Sequence, residues 1–236
     1  MDTARTFCNY FGKEFFKPSV ADEFETRHAA GWHNRCRAGK QFQFHESFSM
    51  KKIETTLSGV LLLEPRVFDD DRGFFLESYN QRAFIELGIP EPFVQDNHSC
   101  SEKNVIRGLH YQILQPQGKL VRAVTGEILD VVVDLRGGSP TFGKWEAFRL
   151  SGENKKMLWI PPGFAHGFRV MSDNAHVLYK TTDFYEPKHE RTLAWNDSEL
   201  NINWQLDGQP NVIPNVSAKD KRGTSFAKAE KFDKRR

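Results

Sequence analysis

The 236-residue sequence contains no run of about 18 apolar residues, so it offers no candidate for a membrane-spanning helix. Its N-terminus, from Met1 to Phe11, lacks a basic segment followed by an apolar one, and we find no secretory signal. Only three cysteines occur, Cys8, Cys36 and Cys100, which are too few and too scattered for a disulfide framework or a zinc cluster. We therefore expect a cytoplasmic protein that does not bind membranes.

Positive charge is also scarce outside the C-terminus. Residues 217–236 carry eight Lys or Arg against three Asp or Glu, whereas residues 50–216 carry 18 against 22. A nucleic-acid-binding domain needs a basic stripe on its folded surface, and the central part of the chain has no excess of basic residues. A short basic run at a chain end is usually solvated. We therefore expect no nucleic-acid partner.

Residues 1–49 differ in character from the rest of the chain. They contain eight of the 20 phenylalanines, but no apolar period is sustained. The segment could be an accessory arm, or Met50 could be the native start; we favour the second interpretation, because an exposed Phe-rich arm is a solubility liability. We thus expect an N-terminal extension over 1–49 that is either not native or poorly ordered, one domain over 50–220 and a basic tail over 221–236.

The domain is predicted to be mainly β. Short runs rich in Val, Leu, Ile and aromatic residues are bounded by Gly, Pro, Asn or Asp and recur every 8–12 residues or so, which is typical of a β-sandwich or jelly-roll barrel. The predicted strands are Val60–Leu63, Gly73–Leu76, Lys119–Val124, Ile128–Val133, Trp145–Leu150, Met157–Ile160 and His176–Lys180. One helix is predicted over Gln81–Leu87, between Asn80 and Gly88.

Two histidines lie in apolar or aromatic surroundings within this β region. Arg107 and His110 share one short run, and His166 follows a Pro-Gly turn. A single histidine of this kind is usually a hydrogen-bonded core residue, but two, together with Arg107 and Lys119, favour a functional site. The run from Pro161 to His166 matches the P-x-G-x-x-H element of cupins, which are jelly-roll barrels that often hold a metal. No H-x-H or nearby glutamate accompanies His110, so we expect a cupin-type barrel without metal.

The chain resembles the dTDP-4-dehydrorhamnose 3,5-epimerase family between Ile53 and Asp220. The matching segments occur in order and are Phe68–Ser78, Phe93–Ser99, Arg107–Gln112, Gln117–Arg122, Ser139–Gly143, Leu158–Phe168, Leu178–Thr182, Trp195–Asn196–Asp197 and Ser217–Asp220. The resemblance implies an isomerase that removes and returns protons at C3 and C5 of dTDP-4-dehydro-6-deoxy-D-glucose, giving dTDP-4-dehydro-L-rhamnose. It also implies that no cofactor is needed and that the protein is a homodimer.

The resemblance further assigns the catalytic residues. His110 matches the base and Asp220 the carboxylate that orients it, Tyr179 matches the proton donor, and Lys119 matches the residue that stabilises the enolate oxygen. From the pattern alone, Asp220 and Lys119 would be solvated charges, and Tyr179 would be a core residue. The residues that match substrate-binding positions are Arg72, Glu77, Gln95, Asp96, Asn97, Arg107, Lys119, His166, Glu190 and Lys219, with Tyr185 as an aromatic neighbour. Phe184 stands where many relatives have a second tyrosine.

Three alternatives stay open at this point. Some relatives invert only C3 or only C5 and keep the base, although the presence of Tyr179 favours the double epimerisation. A metal-dependent cupin is a second alternative and predicts a bound metal ion. A catalytically silent carbohydrate-binding barrel is the third, and it predicts no exchange of the sugar C–H protons.

Overall fold

The computed structural model describes residues 50–206 and 212–233, so the expected extension over 1–49 lies outside the described residues. The described chain forms fourteen strands, one α-helix and one 3₁₀ helix. The strands are β1 Lys51–Glu54, β2 Leu61–Glu64, β3 Val67–Asp70, β4 Gly73–Leu76, β5 Gln95–Glu102, β6 Val105–Gln112, β7 Lys119–Thr125, β8 Glu127–Asp134, β9 Trp145–Ser151, β10 Met157–Ile160, β11 Phe164–Val170, β12 Asn174–Thr181, β13 Glu190–Thr192 and β14 Asn215–Val216. The helices are α1 Gln81–Glu86 and the 3₁₀ helix Asp220–Arg222.

Two six-stranded sheets face each other. Sheet I has the order β1-β2-β10-β7-β12-β5, and sheet II has the order β13-β6-β11-β8-β9, with β14 also beside β6. Strand β14 runs parallel to β6, and the other described pairs are antiparallel. Strands β3 and β4 pair with each other in a separate two-stranded sheet. The mainly β, cupin-type jelly-roll fold predicted from the sequence is confirmed.

The alternation of side chains in β8 explains how sheet II is buried on both faces. Ile128 and Val132 pack between the sheets, whereas Leu129, Val131 and Val133 pack on the outer face of sheet II. The strand therefore reads as a nearly continuous apolar run, interrupted by Asp130. That interruption places a carboxylate on the inner face, beside Ile128 and Val132, where the functional cavity lies.

Helix α1 and its flanks cover part of the outer face of sheet I. The side chain of Asn80 accepts a hydrogen bond from the Arg82 N–H at 3.1 Å and so caps the start of the helix. Phe84, which is 1% exposed, packs in a cluster with Leu63 and Trp159 of the sheet. The helix thus buries part of the outer face of sheet I, and the inner face is left to line a cavity between the two sheets.

The chain beyond residue 220 is part of the domain. Phe226 and Ala229 are buried in the cluster on the outer face of sheet II, and the Phe232 N–H donates to the Leu135 carbonyl at 3.0 Å. The expected boundary at 220 is therefore too early for residues 221–233, because apolar residues alternate with the lysines and anchor the segment. Residues 234–236 are outside the described part. No helix in the described chain is long and apolar enough to cross a membrane.

Candidate active site

A cavity of about 610 Å³ opens between the inner faces of the two sheets. Sheet I contributes residues of β5, β7 and β12 to its wall, and sheet II contributes residues of β6 and β11. Eleven of the fourteen site residues predicted from the sequence line this cavity. They are His110, Lys119, Tyr179, Asp220, Gln95, Asn97, Arg107, His166, Tyr185, Glu190 and Lys219. Residues far apart in the sequence are therefore brought together as expected.

Arg72, Glu77 and Asp96 do not line the cavity. Asp96 alternates along β5 with the inward-facing Gln95 and Asn97, so its carboxylate lies on the other face of the sheet, where it pairs with Lys180 at 2.9 Å. Arg72 lies in the exposed β3–β4 hairpin and pairs with Asp70. Glu77 accepts a hydrogen bond from the Asn80 side chain at 3.1 Å, next to helix α1. These three side chains therefore do not line the cavity of their own chain, and their role in substrate binding stays a prediction.

Two glycines allow β6 and β11 to approach closely beside the cavity. A Cβ atom at Gly108 would lie 2.5 Å from the Gly167 Cα, and one at Gly167 would lie 2.5 Å from the Arg107 carbonyl oxygen. Gly108 also has a φ of +112°, which favours glycine. The pairing register sets His166 directly opposite His110. Both predicted histidines therefore project from one tightly paired region of sheet II.

His110 and Asp220 form a hydrogen-bonded pair. The His110 Nε2 lies 2.6 Å from Asp220 Oδ1, and Asp220 is 3% exposed. Burial raises the pKa of the Asp220 carboxyl, but its bonds with His110 outweigh burial and the pKa is lowered. The carboxylate accepts the Nε2 proton, which leaves Nδ1 as the basic nitrogen of the ring. The Asp220 N–H donates to the Ser217 Oγ at 3.1 Å and so fixes the turn that carries the carboxylate.

A second histidine–carboxylate pair lies deeper. The His166 Nε2 lies 2.9 Å from Asp130 Oδ2, and both side chains are buried. Burial lowers the pKa of His166 despite the opposing charge of Asp130, so the imidazole is neutral near pH 7. The other oxygen, Asp130 Oδ1, has no hydrogen-bond partner in the described structure. Asp130 was not predicted from the sequence, although an aspartate inside an apolar strand is a signal that could have identified it.

Lys119 points into the protein, so the pattern-based interpretation of it as a solvated lysine is wrong. Its side chain begins β7 on the inner face, and the residue is 8% exposed. Burial lowers the pKa of Lys119 to about 8, against the attraction of Asp130 and Glu190. Its Nζ donates to the His110 carbonyl oxygen at 3.2 Å. A cation beside the His110 strand is thus available to stabilise negative charge in the cavity.

Tyr179 lies on the opposite wall from His110. It belongs to β12 of sheet I, whereas His110 belongs to β6 of sheet II. Burial raises the pKa of the Tyr179 phenol, and the positive charge of Arg107 acts in the opposite direction. The phenol is therefore protonated near neutral pH. The two walls present a proton acceptor and a proton donor to one cavity.

Three linked side chains line the cavity on the side of β13. The Tyr185 hydroxyl donates to Glu190 Oε2 at 2.8 Å, and the Lys219 Nζ donates to Glu190 Oε1 at 2.6 Å. Burial raises the pKa of Glu190, but the bonds from Lys219 and Tyr185 outweigh burial and the pKa is lowered. Phe184 is 61% exposed, and its carbonyl accepts a hydrogen bond from the Gln112 side chain at 3.2 Å.

Several cavity residues were not identified from the sequence. Ser99, Gln117, Asn215 and Ser217 line the wall together with the predicted residues. Short polar residues occur throughout the chain, so their type alone gave no signal. Within residues 50–206 and 212–233, no three His, Cys, Asp or Glu side chains are grouped closely enough to hold a metal ion. Metal independence stays a prediction.

The fold and the cavity define a class: a cupin-like jelly roll with an acid–base site between its sheets. A family model described as dTDP-4-dehydrorhamnose 3,5-epimerase matches residues 54–228. The chain belongs to the dTDP-4-dehydrorhamnose 3,5-epimerase family. This match begins close to Ile53, as the resemblance did, and runs past Asp220 into the segment anchored by Phe226.

Individual relatives agree with this family. The chain is 60% identical over 184 residues to a dTDP-4-dehydrorhamnose 3,5-epimerase of Pseudomonas aeruginosa, covering 78% of this chain and 99% of that protein. It is similar to a structure of dTDP-6-deoxy-D-glucose-3,5-epimerase from Legionella pneumophila in complex with dTDP-4-keto-L-rhamnose, with a TM-score of 0.73, 46% identity and coverage of 77% and 95%. The dTDP-4-dehydrorhamnose 3,5-epimerase of Bacillus anthracis, with TDP and PPi bound, gives a TM-score of 0.71 at 45% identity, covering 75% and 100%.

Proposed function

We propose that the protein converts dTDP-4-dehydro-6-deoxy-D-glucose to dTDP-4-dehydro-L-rhamnose by epimerisation at C3 and C5. One observation carries the proposal: the His110–Asp220 pair on one side and the half-buried Tyr179 on the opposite sheet line the same cavity. The relatives named above, one with dTDP-4-keto-L-rhamnose bound and one with TDP, support the substrate class.

The reaction follows from the acidity of the sugar. The C4 ketone acidifies the hydrogens on C3 and C5, because the carbanion formed at either carbon delocalises onto the ketone oxygen. The Nδ1 of His110 accepts the proton, and Asp220 stabilises the resulting imidazolium through Nε2. The Tyr179 phenol then returns a proton from the opposite face, which inverts the centre. The bond electrons stay with the sugar, so no redox cofactor takes part.

Negative charge develops on the ketone oxygen during each proton transfer. Lys119 is the cation we assign to that oxygen, and a pKa of about 8 keeps it mostly protonated at pH 7. His166, whose Nε2–H is held by Asp130, is a neutral member of the same wall. Since these groups are buried before the substrate binds, they need little reorganisation when the enolate forms.

The remaining cavity residues suit the nucleotide portion. Arg107 and Lys219 provide positive charge for the diphosphate. Tyr185 provides an aromatic surface, and Gln95 and Asn97 provide amide groups at the end of β5. The Gln95 and Asn97 side chains are already hydrogen-bonded to each other at 2.9 Å, so they are held in place for a ligand.

We infer that the active form is a homodimer in which Arg72 serves the site of the partner subunit. Arg72 and Glu77 match substrate-binding positions of the family, yet neither lines the cavity of its own chain. The β3–β4 hairpin that carries Arg72 pairs with no other described strand, and Phe74 in this hairpin is 56% exposed. A two-fold dimer, the commonest assembly, can bring such an arm to a second copy.

We further propose that the protein acts in the cytoplasm. The three cysteines are scattered along the sequence, and Cys100, the one among the described residues, has no disulfide partner. A nucleotide-sugar substrate made inside the cell fits the same compartment. Fractionation of cells that express the tagged full chain tests this assignment.

A coupled assay tests the proposed reaction. Purified protein is incubated with dTDP-4-dehydro-6-deoxy-D-glucose and a reductase that accepts only the L-rhamno product, and NADPH consumption is followed. We expect turnover that survives dialysis against EDTA. Turnover that is lost on dialysis and restored by one divalent metal would instead support the metal-dependent cupin. A product inverted at one centre, which the reductase does not accept and NMR of the sugar would reveal, would support a single-centre epimerase. Binding of dTDP without any product would support the silent barrel.

A further inference from the structure

Among the residues that the structure describes, one hydrogen bond connects Arg107 to the opposite sheet. Its Nε donates to the Ser101 Oγ at 2.9 Å. Arg107 belongs to β6 of sheet II, and Ser101 belongs to β5 at the edge of sheet I. Ser101 is 6% exposed and follows Gln95, Asn97 and Ser99 in the inward-facing alternation of β5. The bond therefore crosses between the two walls of the cavity.

The two terminal nitrogens of the Arg107 guanidinium are available to bind a ligand. Among the described residues, no hydrogen bond or ion pair engages its two terminal nitrogens, although the residue lines the cavity. An arginine with Nε held keeps its planar fork in one orientation, and the four N–H donors of its terminal nitrogens stay available to a ligand. The same positive charge opposes the effect of burial on the pKa of Tyr179. The orientation of Arg107 thus affects both the binding of a ligand and the pKa of the Tyr179 phenol.

We propose that Ser101 is a positioning residue, which holds the Arg107 guanidinium across the cavity edge so that its free nitrogens meet the diphosphate or sugar oxygens of the substrate. This inference rests on the proposed function, in which Arg107 binds the nucleotide sugar. Without the serine hydroxyl, the arginine samples several rotamers and loses that freedom only on binding, which weakens the complex.

The alternative is that Ser101 only satisfies buried hydrogen bonds and supports the fold. Ser151 is a matched control, because it is also 6% exposed and its Oγ also accepts one hydrogen bond at 2.9 Å, from the Asn154 N–H. It lies in β9, which contributes no residue to the cavity wall. We expect Ser151→Ala to lower the melting temperature without changing dTDP affinity.

A double-mutant cycle on dTDP affinity tests the inference. The dissociation constant for dTDP is measured by calorimetry for the full chain, Ser101→Ala, Arg107→Ala and the double variant. We expect Ser101→Ala to raise the constant about 3- to 10-fold and to have no further effect when Arg107 is already alanine. An equal loss from Ser101→Ala in both backgrounds, or no loss in either, would overturn the positioning role.

A second variant covers the case in which Ser101→Ala does not fold. Ser101→Cys keeps the size of the side chain but replaces the hydroxyl with a weak acceptor, so it should weaken dTDP binding in the same direction. Solvent deuterium exchange by the unmodified protein separates the two proposals. If the unmodified protein exchanges no sugar proton while the cycle shows coupling, the proposed reaction is wrong and the positioning role stands. If exchange occurs without coupling, the positioning role is wrong and the reaction stands.

Discussion

The Lys119 ammonium group is buried, and burial disfavours its charged form. In the folded state its pKa is lowered from 10.5 to about 8. Below pH 8 Lys119 is protonated in both the folded and the unfolded chain, and the folded state bears the full free-energy cost of burying the charged ammonium group. Between about pH 8 and 10.5 the unfolded chain holds a proton that the folded chain has released, so this contribution to stability rises with pH. The residue is retained at the expense of stability, which suits a catalytic role.

We therefore expect Lys119→Met to stabilise the protein while abolishing activity. The gain in the free energy of unfolding should be on the order of 1–3 kcal/mol at pH 7 and smaller at pH 9.5. Chemical denaturation at both pH values checks this, with Lys228→Met, an exposed lysine, as the control. A gain that is absent, or that grows with pH, would contradict the assigned burial cost.

At the scale of single residues, the sequence predicted some of the site residues and not others. His110 and His166 stood out because imidazoles in apolar strands are unusual, whereas Asp220 and Lys119 required the resemblance, since charged side chains are normally solvated. Arg72 and Glu77 were assigned to the site by the resemblance, but neither lines the cavity of its own chain. The proposed dimer would account for this, and one chain does not encode such an assembly visibly. Ser101 gave no signal, because its role depends on a contact across two sheets.

At the scale of elements, the apolar strands were predictable and the cavity strands were less so. Strands such as β8 and β10 have apolar runs, and the predicted ranges overlap the observed ones. Strand β5 reads QDNHSCSE and has no apolar alternation, because its inner face lines the cavity rather than the core. The positions that give a strand its function therefore remove the pattern that would predict it.

The close pairing of β6 and β11 gives a prediction for Gly167. In Gly167→Ala the new methyl group meets the Arg107 carbonyl oxygen at 2.5 Å and the Gly108 Cα at 3.1 Å, so the strands must separate. We expect a loss of about 1–3 kcal/mol in stability and a drop of more than tenfold in turnover, because Arg107 and His110 shift. Urea unfolding and the coupled assay measure both effects.

A milder glycine substitution serves as the control for that variant. In Gly137→Ala the nearest contact is the Phe232 carbonyl oxygen at 3.3 Å, away from the cavity. Turnover should stay within about twofold of the unmodified protein, since a distant small shift does not move the reacting groups. Equal losses of turnover in the two variants would show that turnover does not depend on the close approach of β6 and β11.

At the scale of the whole molecule, the C-terminal segment closes the outer face of sheet II. Phe226 is 6% exposed there, and we expect Phe226→Ala to cost about 3–5 kcal/mol. Urea midpoints at a fixed protein concentration measure the effect, because the proposed dimer would make stability depend on concentration. Phe184→Ala, at an exposed position, should leave the midpoint nearly unchanged. Similar midpoints for both variants would mean that residues 221–233 do not support the domain.

The proposed dimer can be tested by complementation. If Arg72 serves the partner subunit, a mixed dimer of His110→Ala and Arg72→Ala chains contains one intact site. Co-refolding the two inactive variants should then restore about a quarter of the unmodified activity, because half of the dimers are mixed and each has one working site. No recovery, with mixed dimers present in light scattering and mass analysis, would place Arg72 outside the shared site.

The central claim is that one imidazole removes protons from both carbons flanking the ketone. Mass spectrometry of the sugar after incubation in D₂O measures this directly by counting the deuterium atoms incorporated. We expect two deuterium atoms with the unmodified protein and none with His110→Ala, which should still bind dTDP. Near-normal incorporation by His110→Ala would contradict the account, whatever the family relationship of the chain.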